Sequence, residues 1–570
     1  MNNSKLKPLY VLYIVLISIL LYGNTVFNHW SMDDVFVLKD NPQIAGGIDS
    51  IPAIFSSPYF SNDNASFGYR PLTKVMYALE YDLFGINLPV HHTINILLYA
   101  LCGILVFRFL RRYFEQLTGM LFVWIVFLIW FLHPLHTEVV ASLKNREELL
   151  WVIFDLLSIV QFEKFIEKKN LFALIFALFF FVVSYLAKQS ALSLVLVMPL
   201  LIWFRFGQKI QWKQISGVQL RSIIVVAFTG VMGYLLYKFP AWVFQPDTLE
   251  MYASENPIRF TDAVSVKVSI SAMAMLYNLR LLIFPHPLIF YYGLYQIPDL
   301  PVFSWQVLFS AVVHLGIIVF TIVGLRKRKV WALGSAFYLF SIFLFSNLPI
   351  EINGIVGERF LFLPSLGFAI AFTALVFGLT RNNLYVKNLK LMSLNLRVIL
   401  FIIFLLFSIK TMVRNTSWRD SLTLYKNDIR YASRSVQAHN ILAGEMMDCL
   451  IMDLNKGCAV SSKTKEIQQI IHYFRKSWLL FPESYRTMNN LGDLYLNFGN
   501  NPDSALLFLA GAYKLKPESF YVRFNIARCF DFNNEMDKAE YWYLSAIQVN
   551  PDIPKTHELL NNLRARKLDK

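Results

Sequence analysis

Apolar runs of about 17–22 residues recur along positions 1–413, separated by short polar loops. They lie near 9–27, 92–110, 118–135, 149–165, 171–187, 189–206, 221–239, 304–325, 330–348, 359–380 and 398–413. A helix rising about 1.5 Å per residue needs ~20 apolar residues to cross a ~30 Å hydrocarbon core. The pattern therefore predicts about eleven membrane-spanning helices. The first run follows Lys5 and Lys7 and lacks a small-residue cleavage site, so it reads as a retained signal anchor. Segment 264–297 breaks the series: Arg280, Pro285 and Pro287 suit a kinked interfacial or re-entrant piece. A long polar loop, 28–91, follows the first span. Its aromatic residues (Trp30, Phe36, Phe55, Tyr59, Phe60, Phe67, Tyr69) predict short helices on the membrane surface rather than a disordered spacer.

After 413 the apolar runs stop and a repeat begins. Ala505, Ala512 and Pro517 recur 34 residues later as Ala539, Ala546 and Pro551. Leu491-Gly492 with Tyr495 recurs as Ile526-Ala527 with Phe530. Small residues let paired helices approach, aromatics fill the gap, and a proline ends the second helix. This order and period resemble the tetratricopeptide (TPR) pattern. A degenerate earlier repeat is expected over 436–482 with an insertion near 453–465, and a polar capping helix over 555–566. The predicted fold class is all-α: a polytopic helical membrane domain, 1–413, followed by a TPR α-solenoid of about three repeats, 414–570. Such a solenoid offers a concave groove to a protein partner, or serves as a spacer or dimerisation module.

Composition supports the membrane assignment. The chain is 56% hydrophobic with 51 Phe, and only 16% charged against roughly 25% in soluble domains. The net charge of +15 would suit nucleic acid if it were spread over one surface. Instead the cations cluster in short loops: Arg108, Arg111 and Arg112; Lys164, Lys168 and Lys169; Lys209 and Lys213; Arg326 to Lys329; Lys387, Lys390 and Arg397. That is the positive-inside signature of cytoplasmic loops, so no nucleic-acid partner is expected. With a cytoplasmic N-terminus, all these clusters are cytoplasmic if 264–297 does not cross, or crosses twice. The odd span count then makes the TPR tail extracytoplasmic, in a periplasm or an ER lumen. Four cysteines form no disulfide framework, although Cys449 and Cys458 are near enough in sequence either to pair or to stand as free thiols.

In this topology several polar residues fall at the extracytoplasmic ends of spans, where charge is costly and usually has a task. Asp33 and Asp34 follow span one and read either as a general base with an orienting carboxylate or as a helix-capping pair. Glu138 closes the sequence His133-Pro-Leu-His136-Thr-Glu138 after span three, as a second acid or an interface cap. The two histidines with Glu138 make a weak metal motif, since the spacing runs across a proline. Arg70, Arg146, Lys188 and Arg359 are extracytoplasmic cations suited to a lipid phosphate, and Glu358 is a carboxylate able to pair with one of them. Acids, cations and a binding tail suggest group transfer from a lipid-phosphate donor to a protein, with a carboxylate deprotonating the attacking hydroxyl and cations stabilising the departing phosphate.

Several of these pieces together resemble the transmembrane-and-tetratricopeptide-repeat protein O-mannosyltransferases of the GT-C fold. They are Asp33-Asp34 through Asp40-Asn41-Pro42; Tyr69-Arg-Pro-Leu72; Leu132-His-Pro-Leu-His-Thr-Glu-Val-Val-Ala141 with Arg146; Glu358-Arg-Phe-Leu-Phe-Leu-Pro-Ser-Leu-Gly-Phe368; and His92 with Asn95. The resemblance implies an inverting glycosyltransferase using a polyprenyl-phosphate sugar. It makes Asp33 the base and Glu138 the second acid, and sets Arg70, Arg146 and Arg359 near the donor phosphate. It implies no required cofactor or metal, with an auxiliary divalent cation as an option. The short tail, compact loops and richness in Lys, Asn, Ile and Phe predict a bacterial member with an undecaprenyl-phosphate donor. Mannose or a similar hexose would go to Ser/Thr hydroxyls of extracytoplasmic proteins. The alternatives are a lipid-linked or cell-surface glycan acceptor, and a non-enzymatic TPR scaffold.

Overall fold

The structure is a computed structural model that describes residues 7–39, 41–62, 65–207, 217–243, 253–386, 388–456, 459–499, 501–568 of the chain. Expectations resting on Lys5, Asp40, Lys209, Lys213, Lys387 and Cys458 fall outside the described residues. The chain divides into two compact units: Met1–Met251 with Ile258–Leu288 and Asp299–Leu424, and Tyr252–Pro257 with Ile289–Pro298 and Tyr425–Lys570.

The first unit is helical. Its helices are α1 (Pro8–Tyr22), α2 (Pro71–Phe84), α3 (Leu88–Thr118), α4 (Met120–Phe131), α5 (Thr137–Ala141), α6 (Arg146–Lys168), α7 (Leu171–Ala187), α8 (Leu194–Phe206), α9 (Gly217–Val243), α10 (Val264–Ile283), α11 (Trp305–Arg326), α12 (Val330–Ile342), α13 (Pro364–Leu379) and α14 (Leu394–Ser417). Every predicted span coincides with a helix. Among the described residues seven helices, against the expected eleven, are long and apolar enough to cross a membrane, or eight if the bent pair α4–α5 counts as one. The segments Leu171–Ala187, Val330–Phe345 and Pro364–Leu379 are apolar but shorter. The long loop after α1 carries short helices, at Pro42–Ala45 and Ile51–Phe55. It also carries a two-stranded antiparallel hairpin, Phe60–Asn62 with Ala65–Phe67, that periodicity did not announce.

The ends of these helices sort into two faces. At one, Asn415 near the end of α14 donates to Leu21 O of α1 at 2.7 Å, and Thr411 donates to Leu132 O beyond α4 at 3.1 Å. The ends of α6 and α7 meet there through Lys188 and Glu147, 2.8 Å apart. At the other face Arg205 of α8 pairs with Glu167 of α6 at 2.8 Å, and Arg221 of α9 donates to Ile166 O at 2.8 Å. Arg328, between α11 and α12, lies 5.4 Å over the Trp203 ring of α8. The basic loops of these helices therefore gather at one end of the bundle, and the acidic motifs at the other.

Segment 264–297 holds one helix, α10, that is long and apolar enough to cross. Pro285 and Pro287 lie beyond its last turn, so they end the helix rather than kink it. Its contacts near both ends are with the acidic face, at Glu351 and at His133.

The second unit is built of helix pairs. α15 (Ser421–Asp428) leads in; then α16 (Val436–Asn455) packs on α17 (Thr464–Leu480), α18 (Tyr485–Asn497) on α19 (Pro502–Leu515), and α20 (Phe520–Phe532) on α21 (Met536–Val549), closed by α22 (Pro554–Leu568). Ala505, Ala512, Ala539 and Ala546, the small residues of the repeat, are all fully buried. Successive first helices are tied by side chains: Asn525 to Asn489 at 3.1 Å and Arg528 to Asp493 at 2.9 Å.

Helices α12 and α13 cross at two glycines. A Cβ on Gly334 would stand 2.7 Å from the Gly367 carbonyl oxygen, and one on Gly367 would stand 2.7 Å from that of Gly334. Because the obstacle is backbone, no rotamer relieves it. Gly367→Val is expected to destabilise the protein by at least the ~1–3 kcal/mol typical of overpacking. Thermal unfolding in detergent would show this as a lowered midpoint, and an unchanged midpoint would refute the close crossing.

Candidate functional site at the acidic face

The site begins with the turn after α1. Met32 has a positive φ of 52°, and its N–H donates to Ser421 Oγ at 3.0 Å. This turn gives the two adjacent acids opposite environments. Asp34 is buried: Oδ2 accepts from Ser31 N at 3.1 Å and Ser31 Oγ at 3.0 Å, and Oδ1 from Ser142 Oγ at 3.0 Å and Lys144 N at 2.8 Å. It therefore staples the first acidic-face loop to the loop between α5 and α6. Asp33 points outward with its side chain 57% exposed, its Oδ2 3.7 Å from Lys144 Nζ.

The second acid is placed by a broken helix. His133-Pro134 interrupts α4, a single 3-10 turn follows, and the chain bends by 50° into α5, which carries Glu138. Glu138 is buried and accepts from Arg359 twice, from the backbone N–H at 2.9 Å and from Nη1 at 2.6 Å. Such charge-assisted bonds are the strong ones. The Phe360 ring lies beneath two cations, Arg359 Cζ at 4.7 Å and Lys188 Nζ at 5.8 Å.

Between these acids, Glu147 at the start of α6 is buried and joins three cations: Arg70 Nη1 at 2.5 Å, Lys188 Nζ at 2.8 Å and Lys144 Nζ at 3.8 Å. Glu148 accepts from Lys188 Nζ and Trp151 Nε1, each at 2.5 Å. Arg70 also lies 4.8 Å over the Tyr59 ring.

Lys144 is the cation with the weakest pairing. Among the described residues its carboxylate contacts, at 3.7 and 3.8 Å, are longer than hydrogen bonds. Its ammonium is held below the ordinary lysine range, first by burial. Glu147 and Asp33 raise it, while Arg359 and Arg70 lower it. Lys144 therefore feels both arginines, and Asp33 acts on Lys144 and on Arg359.

Of the predicted site residues, Asp33, Glu138, Arg70, Lys188 and Arg359 come together here. Arg146 is brought elsewhere. It is fully buried, donates to Asn95 Oδ1 at 2.6 Å and His91 O at 2.9 Å, pairs with Glu80, and lies 4.5 Å over the Tyr77 ring. Those contacts make it a brace between α2, α3 and α6. Asn95 completes the brace by donating to Val140 O and Ser142 O, each at 3.1 Å. His136 is buried between Tyr99 OH at 2.9 Å and Ser365 Oγ at 3.0 Å, and His133 donates to Leu282 O at 3.0 Å. His92 is buried near Asn28, and Glu358 is buried in the 3-10 turn Glu358–Leu361. Among the described residues no group of three or more His, Cys, Asp or Glu is arranged to hold a metal ion.

Sequence reasoning passed over Lys144, Glu147 and Glu148. The signal was there: Lys144-Asn-Arg-Glu-Glu148 is an unbroken polar run before an apolar span. Five such residues beside hydrocarbon require partners from other loops.

Two outcomes follow from this geometry. Removing the Arg146 charge leaves the buried Glu80 carboxylate with His91 Nδ1, at 2.6 Å, in place of a guanidinium, so Arg146→Met should cost about 3–5 kcal/mol, read as a lowered unfolding midpoint. Burial pushes the Asp34 carboxyl up to about 6, against its four donors. A raised folded-state pKa adds stability at low pH that is lost as pH climbs from about 4, the unfolded value, through 6. The unfolding midpoint of the wild type relative to Asp34→Asn should fall across that window and level off above it. A flat difference would show that Asp34 titrates normally.

Comparison with known proteins bears on this arrangement. No family model matches the chain. It is 26% identical over 437 residues to protein O-mannosyl-transferase F38B6.6 of Caenorhabditis elegans, covering 75% of this chain and 59% of that protein. It is 23% identical to protein O-mannosyl-transferase TMTC1 of Homo sapiens (84% of this chain, 56% of that protein) and 21% identical to TMTC3 of Mus musculus (94% and 60%). The chain thus spans about three fifths of the length of these curated relatives. All three come from animals and lend no support to a bacterial origin. A solved structure, MamA RS-1 ArsTM double mutant, aligns with 26% of the chain at 18% identity and a TM-score of 0.21, too low to bear on the fold. Over most of its length, then, the chain is similar to the TMTC protein O-mannosyl-transferases, the family its acidic and arginine motifs resemble.

Proposed function

We propose that the chain is a membrane glycosyltransferase moving mannose or a similar hexose from a polyprenyl-phosphate donor to Ser/Thr hydroxyls of extracytoplasmic proteins, with inversion. One observation carries this reading: Lys144 Nζ lies 3.7 Å from the exposed Asp33 and 3.8 Å from Glu147, the carboxylate that also holds Arg70, and Arg359 is near enough to lower the pKa of the Lys144 ammonium. Three cations that repel one another are relieved by an anion, and two guanidiniums with an ammonium suit a phosphate. The similarity to protein O-mannosyl-transferases names the group that such a phosphate would carry.

In this reaction the acceptor hydroxyl attacks the anomeric carbon on the side opposite the phosphate. Asp33 takes the hydroxyl proton, a glycosidic C–O bond forms, and the bond from carbon to phosphate oxygen breaks with its electron pair on the phosphate. Arg359, Lys144 and Arg70 stabilise the charge that gathers there. Glu138 holds Arg359 through two hydrogen bonds and so fixes its guanidinium. Glu147 holds the Arg70 guanidinium through one, at 2.5 Å. Asp34, with all its acceptor capacity used inside the fold, is a positioning residue for Asp33 and Lys144.

The basic face would be cytoplasmic by the positive-inside rule, which places the acidic face and the chain leaving at Leu424 on the extracytoplasmic side. The paired helices of the second unit would receive the acceptor protein.

Asp33→Asn should lower transfer by about 10²–10⁴-fold, the range of general-base catalysis, without altering membrane insertion. Mass spectrometry of O-mannosylated peptides from membranes carrying either form reads this, and unchanged glycopeptide levels would reject Asp33 as base. Lys144→Gln should raise the donor KM more than the acceptor KM, since it removes a phosphate contact and leaves the base in place.

A further inference from the structure

We propose that α10 (Val264–Ile283) is not a membrane span but a helix lying on the bilayer surface at the acidic face, with its outer stripe seated among the lipid headgroups and upper acyl chains. By length and composition it would pass for a span. It has 20 residues and a mean hydropathy of 1.4, and a helix of that length is about 30 Å long, the thickness of the hydrocarbon core. A crossing helix would bring its two ends to opposite faces.

The contacts of α10 forbid that. Lys267 Nζ in its first turn lies 3.1 Å from Glu351, in the stretch leading to Arg359. Leu282 O in its last turn accepts from His133 Nε2 at 3.0 Å, in the bend that carries Glu138. Between them, Ser269 Oγ donates to Leu300 O and Ser310 Oγ to Ala272 O, each at 2.6 Å. Leu300 lies just before α11 and Ser310 in its second turn, while the far end of α11, at Arg326, reaches the basic face. All four contacts tie α10 to one end of the bundle.

Its two sides are distinct. Ile270, Met273, Ala274, Leu281 and Leu282 are buried against the bundle. Val264, Val268, Ile283 and Phe284 are exposed. Phe303, just before α11, and Trp305, its first residue, are both more than two-thirds exposed, and α10 packs on α11. Arg280, with its guanidinium 5.0 Å over the Tyr277 ring, supplies the cation and aromatic common at headgroup depth. A bilayer surface is the partner that fits an apolar stripe on a helix packed beside the exposed, apolar α11 and edged by a cation. Through His133 and the stretch before Arg359, this surface helix braces the Glu138–Arg359 pair. The placement of α10 does not depend on the reaction proposed for that pair.

The test uses the full chain in sealed vesicles of known orientation, with Cys102, Cys449, Cys458 and Cys529 replaced by Ser. Single cysteines are introduced by Ser265→Cys and Arg280→Cys, both at exposed positions near opposite ends of α10, and labelled with a membrane-impermeant maleimide. Ser56→Cys marks the acidic face and Lys327→Cys the basic face. Both α10 positions should label from the Ser56→Cys side. Labelling of one from the Lys327→Cys side would overturn the proposal. Spin labels at Val268→Cys and Ile283→Cys should both report shallow lipid depth in oxygen and nickel-chelate accessibility. Full aqueous exposure at both would exclude the lipid surface as partner.

Discussion

A charge beside hydrocarbon must be paired, and this requirement organises the acidic face. Glu80, Glu138, Glu147 and Glu148 are all buried, and each is held by a cation distant in sequence: Arg146, Arg359, Arg70 with Lys188, and Lys188 again. Removing one member of such a pair strands the other without solvent, which costs far more than the pair contributes. The pairs therefore act as fasteners. They join the start of α6 to α2, to Arg70 just before it and to the end of α7, and α5 to the Arg359 turn.

The same requirement separates residues with a structural task from those open to chemistry. Arg146 and Lys188 have their N–H groups taken by buried acceptors. Asp34 accepts four hydrogen bonds and is closed to other partners. Asp33, one residue away, reaches outward to a lysine whose two carboxylate contacts, at 3.7 and 3.8 Å, are longer than hydrogen bonds. An exposed carboxylate beside a loosely paired ammonium and two clamped guanidiniums is an arrangement in which a proton acceptor and an anion site are neighbours. That neighbourhood, rather than any single motif, is what the proposal of a phosphate-linked sugar rests on.

The opposite face has a different character. There Arg112, Arg205 and Glu163 form pairs around Tyr113, and Arg221 and Arg328 reach backbone and Trp203. Cations outnumber acids, and the loops are short. The bundle is thus polarised along its axis, with basic loops at one end and a carboxylate-rich site at the other. Helix α10, tied at four points to the carboxylate end, fits that polarity as a surface element.

The sequence by itself determined the helices, because a run of some 20 apolar residues has no other stable form in lipid. Every predicted span became a helix, and the 34-residue period gave the helix pairs of the tail, since Ala505, Ala512, Ala539 and Ala546 mark where neighbours touch. It also flagged Asp33, Glu138, Arg70, Lys188 and Arg359, because polar residues at the ends of apolar runs are visible in one dimension. The tertiary structure alone decided which of them face one another. Arg146 and Arg359 look alike in sequence, yet one is walled in by Glu80, Asn95 and His91 and the other is partly open beside Glu138. Asp33 and Asp34 are adjacent, and a turn through Met32 gives one to solvent and the other to Ser142 and Lys144. Pairing across 77 or 221 residues leaves no trace in local periodicity, so neither Glu147 as the hub for Arg70 nor the Glu138–Arg359 clamp could be read before the helices were packed.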